Sequence, residues 1–145
     1  MLMGINKRDY SNFREMVKAH EGYRSMPYRC SAGKLTIGWG HNLDDRGITQ
    51  DIAEAMLTED INVATEDLDK IFPRSLLGNL SWKRYNGLRD MMFQLGYSRF
   101  TEFEKMIAAI KKGDWILASA EAMDSRWYNQ CPIRAAEIVR MLQEG

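Results

Sequence analysis

Glu21, Cys30 and Thr36 fall in one short segment, with eight residues between the first two and five between the second and third. Around them stand Gly22, Gly33, Gly38 and Gly40, and the histidines His20 and His41 mark the segment's ends. The spacing of Phe13, Met16 and Val17 predicts a helix from Asp9 to His20, which Gly22 stops. Glu21 therefore belongs at a helix C-terminus, where carbonyl dipoles favour a protonated acid over a carboxylate and suit the side chain to give up a proton. A glycine-flanked hairpin folding back over that helix end brings Cys30 and Thr36 toward it. Acid-assisted cleavage of a glycosidic bond needs this layout: a proton donor for the leaving oxygen, and groups on the other face that orient or activate a water.

The elements that must hold these residues follow from the rest of the chain. Alternation around "SAGK", with Leu35, Ile37 and Trp39 on one face, predicts a hairpin or small sheet between Gly22 and His41. Thr49 can cap a long helix that runs to about Ile71, with Ile52, Met56, Ile61, Ala64 and Leu68 as its buried stripe, and Pro73 ends it. Ser81 opens a helix with Trp82, Tyr85, Leu88, Met92 and Leu95 on its apolar face, and Gly96 closes it. "TEFE" at Thr101 to Glu104 fits a capping box, Asp114 starts a further helix, and Pro132 stands in the first turn of the last one. The sum is a mostly helical α+β chain of roughly six helices and one small sheet.

Composition narrows the class. With 145 residues, 45% of them hydrophobic, and three prolines, the chain is one folded domain with a real core. Residues 1–72 hold nine Lys/Arg against twelve Asp/Glu, and 73–145 hold eleven against eight. That split is too weak for a nucleic-acid footprint. No apolar run approaches a membrane span, and "MLMGINKRDYSNF" has no apolar stretch of secretory length, so a product made in the cytoplasm without a signal peptide and without stable membrane association is expected. The acidic run from Glu54 to Asp69 lacks the spacing of a calcium loop and reads as a solvated helix face. Trp82, Trp115 and Trp127 fall at helical positions and read as core.

The spacing of Glu21, Cys30 and Thr36, running into "TIGWGH", resembles the catalytic signature of the phage-type lysozymes, glycoside hydrolase family twenty-four. "MMFQLG" at 91–96 and "SRWYNQCPIRA" at 125–135 resemble two further motifs of that family, in the same order. The resemblance implies a two-lobed lysozyme fold over residues 1–145: a small lobe at about 22–60, a helical lobe at about 70–145 that includes the N-terminal helix, and a long helix joining them. It also implies a muramidase that hydrolyses the β-1,4 bond between N-acetylmuramic acid and N-acetylglucosamine in bacterial peptidoglycan, with inversion. Such an endolysin would serve host lysis as a monomer, without cofactor or metal, and reach the periplasmic wall with the help of a separate holin.

Residue by residue, the resemblance makes Glu21 the general acid and Thr36 the holder of the attacking water. Cys30 stands where an Asp is usual, although Cys does occur there in the family. A thiol at its reference pKa of about 8.5 is mostly neutral at pH 7 and a poor substitute for a carboxylate. Tyr28 matches a cleft-floor aromatic, Gly40 a supporting position, Gln94 a side chain facing the substrate, and Arg134 the Arg that pairs with the catalytic Glu. His41 and Asp60 match a structural ion pair, whereas His20 has no counterpart. Cys131, just before Pro132, is a candidate redox partner for Cys30. Other readings compete: a catalytically weak peptidoglycan-binding protein of the same fold, or a thiol hydrolase using Cys30 with His41 or His20. A zinc site from both histidines and both cysteines is weaker still, because the paired spacing of compact sites is missing.

Overall fold

The computed structural model describes residues 11–145. The first residues of the helix expected from Asp9, and nearly all of the N-terminal segment read for a signal, therefore lie outside the described residues. The chain is mostly helical with one small sheet, as its periodicity predicts. It divides into two compact units, one ending at Ala53 and one spanning Glu54–Gly145.

The first unit opens with α1 (Phe13–Glu21), capped by the Asn12 side chain, which accepts from the Glu15 N–H at 3.0 Å. Gly22 closes it with φ of 71°, a left-handed backbone that glycine adopts without the clash a Cβ would cause. Then β1 (Arg24–Arg29), β2 (Leu35–Gly38) and β3 (His41–Asn42) form an antiparallel sheet in sequence order. Its register places Tyr28 opposite Thr36 and Ile37 opposite His41. The expected apolar face of Leu35, Ile37 and Trp39 is not the buried one. Thr36 is the buried residue of β2, and Trp39 lies beyond the strand end, where its exposed ring meets Tyr23 at 4.9 Å and Lys18 at 4.6 Å. A short helix, α2 (Leu43–Arg46), follows under an Asn42 cap; four residues are too few to leave a periodic signal.

α3 (Gln50–Ile71) begins where Thr49 predicts, with its hydroxyl accepting from the Ile52 N–H at 3.3 Å. Only the end of its expected stripe is buried: Ala64 and Leu68 join the core, while Ile52, Met56 and Ile61 are exposed. A 3.6-residue period identifies a stripe but not how far the body it packs against extends. The acidic run is also not wholly solvated, since Asp67 is buried and accepts from Lys70 at 2.8 Å. That carboxylate holds the Lys70 ammonium above its ordinary pKa.

The second unit continues with α4 (Arg74–Leu77), α5 (Trp82–Phe100), α6 (Glu104–Lys111), α7 (Trp115–Met123), α8 (Arg126–Gln130) and α9 (Pro132–Glu144). Leu68, Phe72, Leu88, Phe100, Ile138 and Leu142 are fully buried at its centre. Gly87 lets α5 and α9 close up, because a Cβ there would already stand 3.3 Å from that of Met141. Gly96, with φ of 77°, breaks α5 where the sequence predicts its end, and the chain then resumes helical turns to Phe100. Two expectations fail here. Trp82 is 67% exposed rather than on the apolar face. Thr101 makes no capping box, because it still closes α5: its N–H bonds the Tyr97 carbonyl and its hydroxyl donates to the Ser98 carbonyl at 2.9 Å. α6 consequently starts without a side-chain cap. Arg84 lies over the Trp115 ring at 4.5 Å and donates to the Leu142 carbonyl at 2.8 Å, closing the last turn of α9 with a charged donor.

Candidate active site

Glu21 is the last residue of α1 and is exposed to solvent. Its carboxyl group rests against Gly40, which has φ of 72° in the turn between β2 and β3. A Cβ at residue 40 would stand 2.5 Å from Glu21 Oε2 and 2.7 Å from its Cδ. Glycine is thus required twice, for the backbone angle and for the space the acid occupies. Tyr28, half-buried on β1, carries the Arg24 guanidinium over its ring at 4.3 Å and sits opposite Thr36 in the register.

Cys30 and Thr36 are brought together by the hairpin between β1 and β2. The Cys30 N–H donates to the Lys34 carbonyl at 2.9 Å, and the Gly33 N–H returns to the Cys30 carbonyl at 2.8 Å. This tight turn points backbone donors at the sulfur. The N–H of Lys34, followed by that of Ala32, holds the Cys30 thiol below its ordinary pKa, with a smaller contribution from the Thr36 hydroxyl. The Cys30 thiol expected at its reference pKa therefore lies below it, on account of the turn's backbone donors. Thr36 is only 3% exposed, and its Oγ1 donates to the Lys34 carbonyl at 2.8 Å. A hydroxyl carries one proton. It serves that carbonyl or the sulfur, not both at once.

A testable consequence concerns the thiolate. In a Cys131→Ser background, titration of thiolate absorbance should give a Cys30 midpoint below the usual cysteine range. Thr36→Val should move that midpoint up by less than disruption of the turn does, because the backbone donors dominate. A midpoint at the ordinary value in the parent protein contradicts the geometry.

Sequence reasoning missed the residue that holds this hairpin. Asp44 Oδ2 accepts from the Leu35 N–H at 2.7 Å and from Arg29 Nη1 at 3.3 Å, so one carboxylate fixes the two paired residues that flank Cys30 and Thr36. Beside it Lys34 donates to Asp45 at 2.9 Å, which raises the ammonium pKa and lowers the carboxylate's. In "HNLDDRG" an Asn followed three residues later by Asp marks a short helix start, but not where the acids of that helix point. His41 Nε2 lies 2.5 Å from the Gly47 carbonyl, so that nitrogen carries the proton and ties β3 to the turn after α2.

The remaining predicted site residues lie in the second unit. Asp60 is exposed on α3. Arg134, in the first turn of α9, donates from Nε to Asp90 Oδ1 at 2.7 Å, with Nη2 at 2.5 Å from the same oxygen. Asp90 is a partner the sequence did not announce, since it is a tertiary neighbour 44 positions away. Gln94, half-buried on α5, accepts the Trp127 indole N–H at 3.0 Å and donates to Cys131 Sγ at 3.3 Å. Cys30 and Cys131 are both free thiols.

The sequence description of the Phage lysozyme family matches residues 18–140. An endolysin of Acyrthosiphon pisum secondary endosymbiont phage 1 is 36% identical over 112 residues, covering 74% of this chain and 73% of its own. A probable T4-type lysozyme 2 of Dictyostelium discoideum is 25% identical, over 93% of this chain and 95% of its own. A peptidoglycan hydrolase, gp36, of Pseudomonas phage phiKMV is 28% identical over 96% of this chain, which corresponds to 16% of that longer protein.

Proposed function

The chain belongs to the phage lysozyme family, and from that premise we propose that Glu21, Cys30 and Thr36 together carry out the hydrolysis of a peptidoglycan glycan strand. The activity is that of a muramidase cutting the β-1,4 bond between N-acetylmuramic acid and N-acetylglucosamine, in the service of host lysis. Relatives named endolysin and peptidoglycan hydrolase favour this over a protein that only holds glycan.

In the proposed reaction Glu21 gives its proton to the glycosidic oxygen as the bond to the anomeric carbon breaks. Thr36 holds a water on the opposite face, and the Cys30 thiolate takes a proton from that water as its oxygen bonds to the anomeric carbon. One water is consumed and the configuration inverts. The observation that carries the proposal is the hairpin turn, whose backbone donors keep Cys30 toward the thiolate while Thr36 is held beside it. A thiolate can act as a base, and this offsets the missing carboxylate. We extend the proposal to Tyr28, Gly40, Gln94 and Arg134 as supporting residues and to His41 and Asp60 as structural ones. Action as a monomer that reaches the wall through a separate holin belongs to the same proposal. No described helix is long and apolar enough to cross a membrane.

The test is cleavage of purified peptidoglycan under reducing conditions. New reducing ends should appear, borohydride should convert them to muramitol, and NMR of fresh product should show the α-anomer first. Release of new amino groups without reducing ends would instead identify a peptide hydrolase, and an initial β-anomer would overturn inversion. Cys30→Asp should keep the activity and shift the acid limb of the rate profile to lower pH, since the reference pKa of Asp, about 3.9, lies far below that of a thiol.

A further inference from the structure

Gln94, Trp127 and Cys131 form a closed ring of hydrogen bonds in the second unit. The Trp127 indole N–H is a donor only, so the end of the Gln94 amide that faces it at 3.0 Å must be the carbonyl oxygen. The amide nitrogen is then forced toward Cys131, whose sulfur accepts from it at 3.3 Å. Cys131 in turn gives its own S–H to the Trp127 carbonyl at 3.1 Å, and its backbone N–H reaches that same carbonyl at 3.1 Å. Each side chain fixes the next. The Trp127 ring is only 3% exposed and is packed edge-on against Phe103 at 6.2 Å, so it cannot swing to follow the amide.

Gln94 itself remains half-buried. Of its two N–H groups and two carbonyl lone pairs, the ring uses one each, leaving one donor and one acceptor for a ligand. The direction in which these point is set by both anchors. With Trp127 alone, the amide pivots about a single bond and loses a fixed presentation.

We propose that Cys131 is a positioning residue for glycan binding, orienting the free donor and acceptor of Gln94 through its sulfur. This inference rests on the proposed role of Gln94 in facing the substrate. It gives Cys131 a purpose as a reduced thiol: alkylation of the sulfur takes away the S–H that ties it to the Trp127 carbonyl and adds bulk beside the Gln94 amide, without touching any reacting atom.

The experiment measures KM and kcat on soluble peptidoglycan fragments for wild type, Gln94→Ala, Cys131→Ala and Cys131→Ser, together with hydrogen exchange of the Trp127 indole N–H by NMR. Cys131→Ala should raise KM about 4-fold, the size of one modest hydrogen bond, with kcat within about 2-fold. Cys131→Ser keeps both an acceptor and a donor and should restore KM. The Trp127 indole N–H should exchange faster in the Ala variant and return to normal in the Ser variant. A KM unchanged in Gln94→Ala overturns the substrate-facing role of Gln94 and this inference with it. A raised KM in Gln94→Ala, with wild-type KM and wild-type indole exchange in Cys131→Ala, overturns the inference alone.

Discussion

Glu21→Gln should abolish release of reducing ends from peptidoglycan, with a fall of about 10³-fold or more, while the fold is untouched. Loss of a positioned general acid costs about 10²–10⁴ in rate. The upper part of that range applies because a departing sugar alkoxide needs its proton as the bond breaks, and Gln has none to give. The substitution keeps the side-chain length and the room beside Gly40. Glu21 is exposed and makes no contribution to the buried core, so stability should change by no more than about 0.5 kcal/mol. Urea denaturation and reducing-sugar release, measured on the same preparation, separate the two effects. Persistent release in Glu21→Gln, combined with inactivation by iodoacetamide, would transfer the chemistry to Cys30 as a nucleophile.

The features that could be read from the chain are those set by residues close in sequence. Thr49, Ser81 and Asp114 each bond a backbone N–H three residues on, and Pro132 stands in the first turn of α9, because such caps depend only on near neighbours. The position of Glu21 at a helix end follows in the same way from Gly22. At Thr101 local spacing does not decide: its spacing to Glu104 suits a cap, but the preceding helix claims its hydroxyl first. Burial was less legible. Met56 and Trp82 have the right period and yet face solvent, since periodicity does not reveal which neighbours arrive from elsewhere in the chain.

The site divides along the same line. The spacing of Glu21, Cys30 and Thr36 marks three residue types, but the change in Cys30 arises from the backbone of a turn, which has no side-chain signature. Asp44 is similar, as its role exists only because α2 folds back on the hairpin. Asp90 and the ring around Gln94 join positions dozens of residues apart. What the sequence supplies is therefore the candidate reactive set, while the tertiary fold supplies its electrostatics.

Gly40→Ala should reduce cleavage about 100-fold, far more than its cost in stability explains. Two separate penalties arise at this residue. The backbone angle of 72° disfavours any residue with a Cβ, by about 1–2 kcal/mol. The new methyl would also stand 2.5 Å from Glu21 Oε2 and 3.1 Å from its Cγ. Those atoms are the free end of a flexible side chain, so the acid moves rather than the backbone. A shift of about 1 Å in a catalytic group costs on the order of 10²-fold. Gly38 is the natural control, since its φ is 68° and a Cβ there meets nothing within 4 Å. Gly38→Ala should lose similar stability and keep most of its activity. Combining Gly40→Ala with Glu21→Gln should cost little beyond Glu21→Gln alone, because a displaced acid and an absent one fail in the same step. Equal losses of activity in Gly38→Ala and Gly40→Ala would mean that backbone strain, not the position of Glu21, sets the rate.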